Sequence, residues 1–574
     1  MAVRVRVPLA ALTNYLYSFM RKNLIYSLSA CSLLVFASCS KMGPLSADNF
    51  SVTPKPLETQ AGTVSATING TFPEKYMKKK AVVTVTPELR YADGKVKQGT
   101  PATFQGEKVM GNDQVISYKM GGHYTMKSNF IYEDDMHKSD MYLTFNAKKG
   151  KKTVVIPEVK VNEGIIATSE LYKKTLLNAG GCIAPETYQR VIANKQEANI
   201  KFLINQAKLR KTELNNNSVQ EFVKMLQQIN ADREGLNLKN VEIQAYASPD
   251  GGFKFNNKLA NKRQDVSEGY VQKQMKKAGV ESGIDAHYTA QDWEGFQQLV
   301  QASNIQDKEV ILRVLNMYKD PEERERQIRN MSAGFRELAD GILPELRRAR
   351  LIINYETIGR SDEQIVSQFS ADASKLSLEE LLYGATLVKD AKTKAAMYTA
   401  AAKQNSNDYR AFNNLAVLAF NRGDEAAAKD YLRQALSKNS NAPEANANLG
   451  LIALKNGKVQ EAEAYIAKAS QANDINQALG NLNIAKGNYA QAEINFKGSN
   501  NNSAALAQLL NKNYAAAKAT LNNNKNADAL TSYLHAIISA RQGNKSAADS
   551  YLKEALQKDA SLSSYAANDL EFAK

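Results

Sequence analysis

The sequence predicts a multidomain chain: an all-β sandwich, then an α/β domain with a helical insertion, then an all-α repeat solenoid. Three observations carry that prediction. Short β-branched and aromatic runs, separated by turn residues, fill Gly62 to Thr168 with no intervening helical pattern. Strand and helix patterns then alternate from about residue 195 to 360. Beyond residue 375, apolar and glycine positions recur after 34 residues.

Ahead of these modules, Arg21 and Lys22 precede a mostly apolar stretch from Leu24 to Phe36, closed by Ala37-Ser38-Cys39. That is the layout of a secretory signal, and the run is shorter than the roughly 20 residues of a membrane-spanning helix. An uncleaved signal anchor is the alternative reading. A cysteine directly after small residues resembles a bacterial lipobox, which implies that Cys39 is lipidated. On that reading residues 1–38 are the signal peptide and 39–60 a polar, proline-bearing tether. Residues before Met20 read as an upstream start. Leu28-Ser29-Ala30-Cys31 fits the same pattern, but with a shorter apolar run ahead of it. The resemblance implies an outer-membrane, lipid-anchored protein facing the periplasm.

Export bounds the rest of the chemistry. With Cys31 in the signal and Cys39 lipidated, Cys182 is alone and cannot form an internal disulfide. Its flanks, Gly180-Gly181 and Pro185, read as a linker. The net charge is +15, and loss of Arg4, Arg6, Arg21 and Lys22 with the signal leaves +11. A basic chain favours anionic partners, and outside the cytoplasm nucleic acid is not expected among them.

The β-domain, residues 61–175, rests on runs such as Thr63–Ile68, Ala81–Thr86 and Met141–Phe145. Turn signals at Ala92-Asp93-Gly94, Gly111-Asn112-Asp113 and Lys148-Lys149-Gly150 separate its strands. Glu133-Asp134-Asp135 with His137 is either a cation site or a solvated strand end.

In the middle domain, residues 195–360, a strand at Asn199–Ile204 leads to a helix with Ser218 as a candidate cap. Val219, Phe222, Val223, Leu226 and Ile229 form that helix's apolar stripe. The half-buried strand Val241–Tyr246, the turn Ser248-Pro249-Asp250-Gly251-Gly252 and a long helix follow. Ala245-Tyr246-Ala247-Ser248-Pro249-Asp250-Gly251, with Asn256, Leu259, Arg263, Val266 and Tyr270, resembles the core motif of the OmpA C-terminal domain family. Arg347 to Ile353 resembles the arginine-led last strand of that fold, and a helical insertion at about 291–345 lies between. Its Trp293 is expected to be a packing anchor, with a sugar platform as the alternative.

The resemblance implies peptidoglycan binding through an aspartate after the strand and an arginine on the next helix. A zwitterionic ligand needs one partner of each sign. Arg263 stands at the arginine position, whereas the acid position holds Ser248, with Asp250 two residues later as the replacement. The implied ligand set is Ser248, Asp250, Asn256 and Arg263, and the alternative is a domain redeployed for protein contacts.

In residues 375–574, Leu415, Gly423, Tyr431 and Ala435 recur as Leu449, Gly457, Tyr465 and Ala469. Period, glycine placement and Pro443 resemble the tetratricopeptide repeat, with about six units of which the fourth and fifth are short. First helices of such units line the concave face, which places Arg410, Asn413, Asn414, Asn446 and Asn448 in the groove. An asparagine amide both donates and accepts, which suits holding the backbone of an extended partner segment. Solvated helix faces are the plainer alternative.

No catalytic constellation stands out. His123, His137, His287 and His535 lie in different modules, and there is no phosphate loop or nucleophile elbow. The expectation is a non-enzymatic scaffold with no metal or cofactor, binding an envelope protein through its repeats. A peptidoglycan tether is the alternative.

Overall fold

Alternation along Thr63–Phe72 buries Val64, Ala66, Ile68 and Phe72 and leaves the intervening side chains outward, the period of a half-buried strand. A computed structural model describes residues 42–573 except 93, 179, 306 and 331. The expected signal peptide and Cys39 lie outside the described residues.

Two sheets face each other across one core. One is built around Thr63–Phe72, paired antiparallel with Gly122–Ile131 along its whole length. The other is built around Ala81–Tyr91, paired antiparallel with Asp140–Lys149. Val83, Val85, Leu89, Met141 and Leu143 meet Ile68 and Phe72 between them. Two pairings are parallel, Ile165–Ile166 with Leu57–Gln60 and Ala102–Gly106 with Gln114–Ile116.

The expected tether is corrected by this sheet. Phe50–Thr53 and Leu57–Gln60 both pair with Thr63–Phe72, and Pro54 and Pro56 stand in the break between them. Val52, Leu57 and Thr59 are buried, so the sandwich begins at residue 50 rather than 61. Proline is tolerated there because an edge strand leaves some N–H groups without a ladder partner.

The middle domain is a four-stranded sheet in the order Val191–Lys201, Arg348–Ile358, Leu236–Tyr246, Ile284–Thr289. Helices Asn217–Ala231 and Phe253–Ala278 cover it through Val219, Phe222, Leu226, Val271 and Met275. The cap of the first is Asn216, whose side chain accepts from Val219 N, rather than Ser218. The insertion, Trp293 to Leu346, has its own small core around Phe296, Ile311 and Leu343. Trp293 packs edge-on against Phe296 at 5.7 Å.

Six helix pairs follow, from Leu378–Leu387 with Ala391–Gln404 to Ala529–Arg541 with Lys545–Lys558. Gly423 and Gly457 close first helices of successive pairs with φ of 80° and 71°, a conformation that side chains with a Cβ resist. The fourth and fifth pairs have short helices, such as Tyr489–Asn495 and Tyr514–Asn522.

The described residues fall into two compact units, and these do not follow the expected module boundaries. One takes the chain up to Cys182 with Phe420–Gly423 and Asn446–Lys574, and the other Ile183–Ala419 with Asp424–Ala445. The sandwich shares a unit with the late repeats because residues 165–178 run among their helices and Cys182 is held by Asn448. Leu171, Tyr172, Thr175 and Leu176 in that run are buried.

Candidate functional site

The turn after Leu236–Tyr246 is folded by Asn256, whose Nδ2 donates to the carbonyls of Ser248 and Gly251 at 2.8 Å each. Ser248 Oγ donates to Asp250. Arg347 reaches both of them, donating to Ser248 Oγ and Asp250 Oδ2 at 3.2 Å each. From the insertion, Arg329 donates to the Asp250 carbonyl at 2.6 Å and pairs with Glu325. These groups line a cavity of about 390 Å³, together with Arg263 and the apolar Ile204, Phe255 and Leu259.

The four expected ligand residues are therefore brought together, but Arg263 is corrected. Its side chain is 1% exposed, and it donates to the carbonyls of Tyr246, Gln206 and Leu203 at 2.8, 3.0 and 3.2 Å. The guanidinium also lies over the Phe202 ring at 5.1 Å. Burial, with the Arg347 charge beside it, lowers its pKa to about 10. Arg263 binds the end of one strand and two loop carbonyls into the fold, and Asn256 likewise serves the turn. Asp250 is already paired with Arg347, so the groups turned to the cavity differ from the acid-and-base pair expected.

Sequence reasoning missed Arg347, Arg329 and Glu325 as cavity residues. Arg347 was visible only as the head of the last strand. The other two come from the insertion, for which the motif has no counterpart.

The second candidate site lies on the first helices of the repeats. Asn448, on Pro443–Lys455, accepts from Cys182 N at 2.8 Å and donates to Cys182 O at 2.9 Å. Asn414, on Arg410–Asn421, accepts from Ala184 N at 2.8 Å and donates to Ala184 O at 3.1 Å. Each amide takes both polar groups of a single residue, as a neighbouring strand would. The two asparagines, 34 positions apart, hold residues two positions apart, the period with which an extended backbone presents one side.

Neighbouring contacts continue the pattern inside each unit. Arg410 pairs with Glu379 and Asp408 and donates to Pro185 O at 3.3 Å, while Glu379 accepts from Thr187 N at 2.7 Å. In the other unit Ser503 donates to Thr175 at 2.8 Å and Thr168 to Glu571 at 2.5 Å. In both units, later segment residues meet earlier repeats.

Asn413, Asn414, Asn446 and Asn448 are all at most 5% exposed. The expectation of an open groove, and the alternative of solvated faces, are both corrected: within each unit the face is met by the chain's own residues, Thr168, Thr175 and Cys182 in one and Ala184, Pro185 and Thr187 in the other. Asn413 donates to Asn414 Oδ1 at 3.0 Å and so orients that amide. Asparagine was legible as a backbone-holding residue, but the segment that Asn414 and Asn448 hold is more than two hundred positions away.

The acidic cluster of the sandwich is held by basic and phenolic neighbours. Lys97 and Tyr91 donate to Glu133 at 2.6 and 2.9 Å, and Lys95 to Asp135 at 3.3 Å. Among the described residues no group of three or more His, Cys, Asp or Glu could hold a metal ion. Cys182 is a buried free thiol.

Where residue 168 ends its run, Arg541 pairs with Glu571 at 2.5 Å and Glu58 at 3.2 Å, and Tyr533 donates to Asp569 at 2.7 Å. Burial first, and the Glu571 charge second, raise Asp569 to about 6. A carboxyl raised above its unfolded value contributes stability below that value and loses it as pH rises through the folded one. Unfolding at pH 4, 5, 6 and 7 should therefore show wild type losing about 2–3 kcal/mol relative to Asp569→Asn across that range. A constant difference between the two proteins would contradict the shift.

The tetratricopeptide repeat family matches residues 409–441 and 443–476. Among solved structures, a tetratricopeptide repeat protein from Parabacteroides merdae is 17% identical, over 37% of this chain and 91% of that chain, with a TM-score of 0.27. Pseudomonas aeruginosa PilF, the subject of a functional characterization, is 16% identical over 37% of this chain and 97% of its own, with a TM-score of 0.24. No curated protein sequence matches this chain. The C-terminal region thus contains tetratricopeptide repeats, units that generally bind protein partners.

Proposed function

We propose that the chain is a non-enzymatic scaffold that holds a protein partner in the cell envelope, anchored to the outer membrane through a lipidated Cys39. The repeats at 409–476 are the observation that carries the scaffold. Within each unit their first helices already hold the chain's own backbone, at Cys182 in one and at Ala184 and Pro185 in the other, so the partner docks on other surfaces of the chain. A partner segment competing for that face would meet a tethered rival at an effective concentration on the order of millimolar.

Cross-linking of intact envelopes, followed by purification of the full chain, tests this reading. One protein should co-purify in stoichiometric amount, and Cys39→Ala should let high salt release the complex from the membrane fraction, which wild type withstands. Recovery of the chain alone, at every cross-linker length, would overturn the scaffold.

The cavity beside Asp250 favours a second reading, a peptidoglycan tether in keeping with the resemblance to the OmpA C-terminal domain family. Arg329 is the informative position, since its side chain is 53% exposed and its change leaves the buried arginines in place. On this reading the full chain sediments with purified sacculi, Arg329→Ala reduces that, and Ser248→Asp increases it. Absence of sedimentation would dismiss the tether and leave the scaffold.

A further inference from the structure

One end of the sandwich collects lysines from four connections. Lys79 and Lys80 lie in the loop after Thr63–Phe72, and their carbonyls accept from Lys108 N at 2.7 Å and Gly150 N at 3.1 Å. Those bonds bring the loop bearing Lys108 and the hairpin bearing Lys151 and Lys152 to the same end. Lys75 N donates to Tyr118 O at 2.6 Å, which adds the turn carrying Lys119. Lys79, Lys80, Lys108, Lys119, Lys151 and Lys152 are all exposed, and among the described residues none of these six is in an ion pair. Only Glu74, Glu107 and Asp113 stand against them in these connections, and Glu107 already accepts from Ser117.

Two further features distinguish this end from an ordinary solvated surface. Met110 and Met120, beside Lys108 and Lys119, are 100% and 82% exposed. Lys79 lies over the Tyr118 ring at 6.0 Å, and apolar tips among lysines that are in no ion pair are the composition of a surface that meets lipid headgroups and the acyl boundary together. The described chain also enters the sandwich here, since Tyr76 in the lysine loop donates its hydroxyl to Gly43 O at 2.8 Å. The opposite end is the one occupied by repeats: Gly164 lies against Leu570, and Gly487 against Gln60.

We propose that the lysine end of the sandwich docks on an anionic membrane surface, with lysines at the lipid phosphates and the two methionines in the interface. Cys39 lies four positions before Gly43, so an acyl anchor there would act beside the patch as a second attachment. The proposal rests on the described residues and stands whether or not Cys39 carries lipid.

The test uses the full chain as Cys39→Ala, so that acylation plays no part, with phosphatidylcholine vesicles containing or lacking phosphatidylglycerol. The parent should sediment with the anionic vesicles and be released by salt. Changing Lys79, Lys80, Lys151 and Lys152 to Glu should lower partitioning at least about a hundredfold, from roughly fivefold per lysine near the surface. Equal sedimentation of parent and reversed variant, or equal binding to both vesicle types, would overturn the proposal. So would capture by soluble polyphosphate with no vesicle binding, which assigns the lysines to a soluble polyanion. Salt release of the parent is read independently of how the variant folds, and salt-insensitive binding also counts against the proposal.

Discussion

Replacing Asn414 and Asn448 together by alanine should lower the denaturation midpoint of the whole chain strongly. Each change removes the amide that takes one buried N–H and one buried C=O, at about 1–3 kcal/mol per group left with an unmet hydrogen bond. Urea unfolding followed by circular dichroism measures the loss. Asn448→Asp keeps the acceptor for Cys182 N but turns a buried carboxylate oxygen toward Cys182 O, so at neutral pH it should cost at least as much as Asn448→Ala. A double variant that melts with wild type would mean that residues 182 and 184 do not need these amides.

Arg263→Ala should be the most damaging single change in the α/β domain, at about 3–5 kcal/mol. It opens a cavity where a fully buried side chain stood and strips the carbonyls of Leu203, Gln206 and Tyr246 of a charged donor. Trp293, the only tryptophan in the chain, lies in the insertion of this domain, so its fluorescence reports that unfolding. Arg263→Lys retains a charge but cannot span three carbonyls, and should recover only part of the loss. An Arg263→Ala protein with an unchanged fluorescence transition would restore the arginine to a ligand-binding role.

Periodic features were legible in the sequence because they repeat a local physical demand. The alternation of Val64, Ala66 and Ile68 specified a strand, and Gly423 and Gly457 marked the same turn twice. The strand–helix order around Tyr246 and Arg263 was legible for the same reason. What escaped was pairing over long separation. Nothing near Asn448 says that Cys182 is its partner, because an amide that holds backbone needs no particular side chain opposite. Ile165, Ile166, Leu171 and Tyr172 are buried in this run, but they fall inside the bounds 61–175 expected of the sandwich, and nothing beside them names the repeats as their neighbours. Arg263 was found at the right position and given the wrong partner, since its acceptors are backbone carbonyls and carbonyls are invisible in a sequence. Glu325 and Arg329 reach the cavity from the insertion, where no motif guided the reading.

Hydrogen exchange at two backbone amides, Cys182 N–H and Ala184 N–H, tests most directly that the chain fills its own repeat face. Both should exchange as slowly as the amides of the repeat helices that hold them, released only by unfolding on that scale. Exchange at the rate of an exposed loop would contradict this account and return the face of Asn414 and Asn448 to an outside partner.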